Sequence, residues 1–160
     1  MDVLNVTSSA LRNIEGLPPS LHDLELRDSP NLTALSGIEK LTALTTLYLS
    51  GNNLHNLSGI EKLTALTTLD LSRNNNLQNL SGIEKLPALT TLNLSGNNLQ
   101  NLSRIEKLDK LESLDLSYRK LANLGLISGL KHLKTLNLKG TKIQSLKGLP
   151  ASVTTLILGD

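Results

Sequence analysis

The chain contains no cysteine, tryptophan or phenylalanine, and Tyr48 and Tyr118 are its two tyrosines. Without cysteine, disulfides, thiolate metal ligands and thiol nucleophiles are all excluded. With so few aromatic rings the core must be aliphatic, and the stacking platforms that bind single-stranded nucleic acid are missing. No apolar run is long enough for a signal peptide or a membrane span, so we expect no membrane as partner. Because aromatic residues are few and the net charge is small, we expect no nucleic acid as partner either.

The net charge of +2 is small, but the charges are unevenly distributed along the chain. Residues 1–103 contain six basic and nine acidic side chains, whereas residues 104–147 contain ten basic and four acidic ones. Two interpretations remain open: the C-terminal part attracts an acidic partner, or its lysines form a solvated surface.

A Leu-x-Leu type of motif occurs eight times, at intervals of 20 to 23 residues. Residues two apart point to the same side of a strand, so each motif predicts a short strand with a buried face. Within one repeat, Leu57, Ile60 and Leu63 are three apart, which suits a 3₁₀-like return segment. The motifs begin the eight repeats at these pairs: Leu4 and Val6, Leu24 and Leu26, Leu47 and Leu49, Leu69 and Leu71, Leu92 and Leu94, Leu114 and Leu116, Leu136 and Leu138, Leu156 and Leu158.

One repeat cannot bury its own apolar face, so neighbouring repeats must stack and align their strands in parallel. We therefore expect residues 1–160 to form a single domain. Its fold class is an α/β solenoid with a parallel sheet of about eight short strands on one side and irregular or 3₁₀ segments on the other.

Asparagines follow the strands at one fixed place, where the turning backbone leaves polar groups that need partners inside the stack. An amide both donates and accepts hydrogen bonds, so Asn52, Asn74 and Asn97 are predicted to form a structural ladder. Other residues occupy this position in further repeats, namely Ser9, Ser29, Arg119 and Thr141. Arg119 has no acceptor atom and is larger, so we expect the chain to loosen or turn outward there.

The repeats resemble leucine-rich repeats over essentially the whole chain. Residues 41–62, LTALTTLYLSGNNLHNLSGIEK, are similar to the 22-residue repeats of bacterial internalins and of a eukaryotic phosphatase regulator. The proline-containing segments 17–21 and 149–153 resemble shorter repeats of bacterial effector proteins that act inside host cells. The resemblance implies a horseshoe that recognises a protein on its concave face, and that acts inside a host cell if the chain is an effector. The lack of cysteine and of a signal peptide otherwise favours the cytoplasm.

Strand alternation places the residues before, between and after the paired leucines on the concave face. Much of this face is small and hydroxylated. Tyrosine and arginine are common anchors of protein interfaces, but the tyrosines could instead merely cover neighbouring strands, and Asp70 could simply pair with Arg73. The candidate partner-binding residues are Glu25, Tyr48, Asp70, Arg73, Asn93, Asp115, Tyr118, Arg119, Asn137 and Lys139.

No catalytic or metal-binding pattern is present in the sequence. His22, His55 and His132 lie in different repeats, without a nucleophile and acid around them or metal-ligand spacing between them. The recurrent Glu61-Lys62 pair is interpreted as a charged convex surface. We expect no enzyme activity in this domain, no metal and no cofactor.

Three functions remain open: a protein-binding module, a structural or designed scaffold, and the recognition domain of a larger enzyme such as a ubiquitin-ligase effector. The first strand begins next to Met1 and the last ends next to Asp160, which leaves no room for a capping element. We therefore expect the chain to be part of a longer protein, or to self-associate through its C-terminal repeat.

Overall fold

The computed structural model describes residues 2–8 and 10–160. Its strands form one parallel sheet in which the order in space is the order in the chain. The strands are β1 (Val3–Thr7), β2 (Asp23–Arg27), β3 (Thr46–Tyr48), β4 (Thr68–Asp70), β5 (Thr91–Asn93), β6 (Ser113–Asp115), β7 (Thr135–Asn137) and β8 (Thr155–Ile157).

The leucines of the strands form continuous columns inside the solenoid. Leu47 pairs with Leu69 in the parallel register, and Leu69 pairs with Leu92. All three are fully buried, while the residues on either side of each are more exposed, apart from Asp70. Since burying one leucine side chain stabilises a fold by roughly 1.5–3 kcal/mol, these columns hold the repeats together without aromatic residues.

Short 3₁₀ helices return the chain on the side opposite the sheet. In three of them a glycine with positive φ precedes the helix, and its N–H donates to the glutamate two residues later, as Gly59 does to Glu61 Oε2 at 2.9 Å. These glutamates therefore cap helices, a role beyond the charged surface expected from the sequence. The helices are η1 (Ile38–Lys40), η2 (Ile60–Lys62), η3 (Ile83–Lys85), η4 (Ile105–Lys107) and η5 (Gly125–Ile127).

Arg104 occupies the place of that glycine before η4, with a φ of 88°. Its Nη1 lies 3.0 Å from Glu84 Oε1 of the preceding repeat. A hydrogen bond from the backbone N–H of Glu84 itself is the largest cause that lowers the pKa of this carboxyl, with further lowering from the Gly82 N–H and from Arg104, against desolvation. The ion pair thus ties two neighbouring returns together at a position where the backbone is strained.

The three ladder asparagines are buried, and their amides bond carbonyls of two successive repeats. Asn74 Nδ2 donates to the Leu49 carbonyl at 2.9 Å and to the Leu71 carbonyl at 3.0 Å, while its Oδ1 accepts the Leu54 N–H at 3.2 Å. Asn97 Oδ1 in turn accepts the Asn74 N–H at 2.8 Å. Each asparagine therefore joins its own repeat to a neighbour.

Two residues that replace asparagine at the ladder position keep part of this hydrogen bonding. The Thr141 hydroxyl donates to the Leu138 carbonyl at 2.6 Å, and the Ser29 hydroxyl donates to the Arg27 carbonyl at 3.3 Å. The extra residue of the two 23-residue repeats is absorbed by a turn at residues 30–31 and at residues 75–76. Ser9 lies outside the described residues.

The predicted horseshoe of eight parallel strands with 3₁₀ or irregular returns is confirmed. Among residues 2–8 and 10–160, no helix has the length and apolarity needed to cross a bilayer.

The ladder makes a quantitative prediction about stability. Asn74→Ala leaves buried carbonyls and an N–H without their partner, so we expect a loss of about 3 kcal/mol in the free energy of unfolding. Asn75→Ala, at an exposed position in the same turn, is the control and should change this free energy by less than about 0.5 kcal/mol. Urea unfolding followed by circular dichroism measures both; equal losses would contradict a structural role for the ladder.

Candidate functional site

The candidate site is the concave face, which we define as the strand side chains that point away from the leucine core. The parallel register brings the residues between the paired leucines into one column across the sheet. From β1 to β8 this column consists of Asn5, Glu25, Tyr48, Asp70, Asn93, Asp115, Asn137 and Ile157.

Arg27 connects the first part of this face. Its Nε lies 2.5 Å from Glu25 Oε1, at ion-pair distance but without hydrogen-bond alignment. Its Nη1 lies 3.9 Å from Asp70 Oδ2, and its guanidinium carbon lies 4.8 Å from the centre of the Tyr48 ring. We call these four residues the Arg27 cluster.

The Arg27 cluster spans three adjacent strands, so its side chains are held by one another across the sheet. Asp70 pairs with Arg27, whereas the sequence had offered Arg73 as its simplest partner. A guanidinium over a tyrosine ring contributes about 0.5–1 kcal/mol at an exposed site. Arg27 was not among the candidate residues predicted from the sequence. The sequence contained one signal for Arg27, because it directly follows Leu26 and therefore points to the concave face.

Asp115 and Asn137 form a second group toward the C-terminal end of the face. Asn137 Nδ2 donates to Asp115 Oδ2 at 2.9 Å, and Asp115 Oδ1 accepts the Ser117 N–H at 2.8 Å. Asp70 and Asn93 accept an N–H two residues later in the same way, each at 2.9 Å. One oxygen of every side chain in this stretch of the column is therefore fixed by the backbone, which orients the rest of the group.

A second column runs along the rim of the face, three residues after the first. Every residue in it has a positive φ, which a residue with a Cβ adopts at a cost of about 1–2 kcal/mol. Glycine and larger residues alternate along the rim from repeat to repeat, and we refer to this column as the rim. From the second to the seventh repeat it contains Asp28, Gly51, Arg73, Gly96, Tyr118 and Gly140.

Each large rim residue lies against the glycine of the next repeat. A Cβ on Gly140 would be 2.5 Å from Tyr118 Cδ1, and a Cβ on Gly51 would be 2.2 Å from Asp28 Oδ1. Tyr118 nevertheless remains 59% exposed. Glycine therefore provides space for a side chain that stays available at the surface.

The two columns alternate together, so that the face has a period of two repeats. Repeats with a carboxylate in the first column have a large rim residue, as Asp70 with Arg73 and Asp115 with Tyr118. Repeats with a neutral residue in the first column have a rim glycine, as Asn93 with Gly96. The sequence shows this alternation, but only the structure shows that the rim residues have a positive φ.

Arg119 does not belong to the concave face, which corrects its place among the candidate residues. Its side chain is 5% exposed and turns inward, so the expected outward turn is also wrong. Arg119 Nη2 donates to the Leu99 carbonyl at 2.7 Å, which draws the guanidinium into the stack. Desolvation by burial lowers the pKa of Arg119.

The remaining candidates are two cations, Arg73 on the rim and Lys139 directly after Leu138. Arg73 and Lys139 are exposed, and Asn137 Oδ1 accepts the Lys139 N–H at 3.0 Å. In the part of the chain that the structure describes, no group of three or more histidine, aspartate or glutamate side chains is placed to hold a metal. The surface is thus a set of fixed polar and aromatic groups suited to contact, and the fold defines a repeat solenoid of the protein-interaction type.

A family model for pairs of leucine-rich repeats matches residues 42–85, 64–110 and 109–151. The chain belongs to the leucine-rich-repeat family. A sequence search against curated proteins finds no match.

Solved structures of similar fold include two internalins of Listeria monocytogenes. Internalin F is 22% identical, with a TM-score of 0.80 over 89% of this chain and 42% of its own. Internalin C2 is 28% identical, with a TM-score of 0.66 over 99% of this chain and 79% of its own. The predicted resemblance to internalins is confirmed, and the chain spans less than half the length of internalin F.

A plant peptide hormone receptor, RGFR1, solved in complex with RGF2, has a similar fold. It is 21% identical to this chain, with a TM-score of 0.66 over 89% of this chain and 25% of its own. None of these comparisons indicates a catalytic family, in keeping with a fold that typically provides a binding scaffold.

The geometry of the rim predicts that the same substitution, glycine to alanine, lowers the free energy of unfolding by different amounts at two rim positions. Gly140→Ala and Gly96→Ala occur at φ values of 66° and 63°, but the new Cβ meets Tyr118 Cδ1 at 2.5 Å in the first and Arg73 Cγ at 3.5 Å in the second. We expect Gly140→Ala to lower the free energy of unfolding by about 1–3 kcal/mol more, because the ring must move. Urea unfolding measures the difference, which adding Tyr118→Ala should abolish; a difference that persists in the double variant would exclude the ring as its cause.

Proposed function

We propose that this chain is a protein-binding module whose concave face captures a peptide segment of a partner protein. The observation that carries the proposal is the Arg27 cluster, in which Arg27 orients Tyr48, Glu25 and Asp70 on adjacent strands. Side chains that are already fixed lose little further entropy on binding, and tyrosine and arginine are frequent anchors of interfaces.

The rest of the face extends this surface. Asn93, Asp115 and Asn137 continue the column, while Arg73 and Tyr118 project from the rim on alternate repeats. Lys139 adds a positive charge at the C-terminal end, which favours an acidic group of the partner there. A plant receptor of similar fold was solved with RGF2, which supports a peptide as the form of ligand.

The proposal can be tested with displayed random 12-residue peptides as the probe. Peptides selected on the wild-type chain are synthesised, and their dissociation constants are measured by fluorescence anisotropy. Tyr48→Ala and Asp70→Asn should each weaken binding at least tenfold, since interface anchors contribute about 2 kcal/mol or more. Asn at position 70 can still accept the Ser72 N–H, so the local backbone is kept.

The matched control is Lys62→Ala, an exposed substitution in η2 on the opposite side of the solenoid. It should leave the dissociation constants unchanged, and thermal unfolding should show that all three variants are folded. If the selected peptides bound the Tyr48 and Asp70 variants normally and lost affinity for the Lys62 variant, the concave face would not be the binding surface.

We also propose that the isolated chain self-associates through β8. This strand is at an edge of the sheet, and Ile157 is 42% exposed beside an even more exposed Leu158. Unpaired strand edges with apolar side chains favour pairing with a second chain.

Sedimentation equilibrium over a concentration series tests the self-association. Ile157→Lys should shift the chain to monomer, because a lysine at a strand edge opposes pairing. Leu126→Lys is the control, since Leu126 is equally exposed, at 44%, but lies in η5. A wild-type chain that stays monomeric at high concentration would refute the idea.

A further inference from the structure

A cleft of about 300 Å³ lies beside the segments that lead from β5 and β6 toward η4 and η5. Its lining includes three residues with amide side chains, Gln100, Asn101 and Asn123, and two basic residues, Arg119 and Lys120. None of its described lining residues carries a carboxylate. This cleft is separate from the concave face, and the proposed peptide binding makes no use of it.

The unusual component of the cleft is Arg119, which stands at a ladder position that asparagine fills in three repeats. Its Nη2 bonds the carbonyl of Leu99, another lining residue, at 2.7 Å. Its Nε and Nη1 are buried, and neither has a hydrogen-bond partner in the described parts of the chain. Because Nε carries one N–H and Nη1 carries two, three of the five guanidinium donors are unpartnered.

Such an arrangement is unfavourable unless a negative group compensates it. A buried charge requires a partner with good hydrogen-bond geometry, and an unsatisfied buried donor is itself destabilising. The ion pairs formed among the described residues do not include Arg119. The sequence from Leu116 to Gly159 contains no aspartate or glutamate that could approach from the following repeats.

We propose that this cleft binds an oxyanion, a carboxylate or a phosphate group, through the guanidinium of Arg119. The planar fork of arginine matches the two oxygens of such a group. Lys120 also lines the cleft and adds a second positive charge to it, and the side chains of Asn101 and Asn123 contain further N–H donors. The oxyanion has one of two sources, a phosphate group or a carboxylate side chain of a partner protein, and both present two oxygens to the fork.

Arg119→Asn is the decisive variant, because it removes the guanidinium and places an asparagine in the ladder. In a chloride buffer this variant should therefore melt at a higher temperature than the wild-type chain. Its amide can accept the N–H of the preceding ladder residue, which arginine cannot do.

Thermal unfolding in phosphate, acetate and chloride at equal ionic strength tests the binding. A ligand that binds the folded state raises the melting temperature in a saturable way. We expect phosphate or acetate to raise it by several degrees over chloride in the wild-type chain, and to have no such effect on Arg119→Asn. Lys120→Ala should increase the half-saturating concentration severalfold. Lys110→Ala, an exposed lysine outside the lining, should leave it unchanged.

The two anions distinguish the sources. A shift with phosphate alone assigns the cleft to a phosphate group, and a shift with acetate assigns it to a carboxylate such as an aspartate or glutamate of a partner. If Arg119→Asn did not fold, Arg119→Lys, which keeps the charge but loses the fork, should weaken binding at least tenfold. Equal melting temperatures in all three salts, or an equal shift in Arg119→Asn, would overturn the proposal.

Discussion

The structure depends on one constraint, which is that a repeat can bury its leucines only against another repeat. Each repeat is too short to enclose a core, so Leu47, Leu69 and Leu92 must align in register, and the strands become parallel as a result. Stacking also buries backbone polar groups at the turns, and the asparagine ladder provides their partners. It satisfies the backbone groups at the turns, which would otherwise oppose stacking because they are removed from water.

Stacking also controls what the surface can display. The rim column has positive φ from the second to the seventh repeat, because these repeats turn at the same place. A large residue such as Tyr118 can occupy the rim when the next repeat has glycine there, since its side chain lies over that glycine. The two-repeat period of the face thus follows from sterics between neighbours, while tyrosine, arginine and aspartate adopt this conformation at a cost of about 1–2 kcal/mol each.

The ladder position shows how the hydrogen bonding at one place in the repeat depends on the residue that fills it. Asn52, Asn74 and Asn97 each accept a backbone N–H of the preceding repeat through Oδ1, a bond that arginine cannot form because it has no acceptor. Arg119 instead reaches the Leu99 carbonyl and brings into the stack a charge that is in none of the ion pairs among the described residues. The stack remains in register on both sides of it, so the neighbouring leucines outweigh the local loss.

The sequence by itself determined the repeat length, the strands, the 3₁₀ returns and the positions of the ladder asparagines, because each follows from spacing along the chain and from burial. It could not determine the pairing of Arg27 with Asp70, which are 43 positions apart and meet only through the register of three strands. Nor could it determine the direction of Arg119, since a long flexible side chain can turn toward solvent or inward at the same backbone position. The tertiary structure decided both, because the contacts that neighbouring repeats offer are fixed only once the solenoid has stacked.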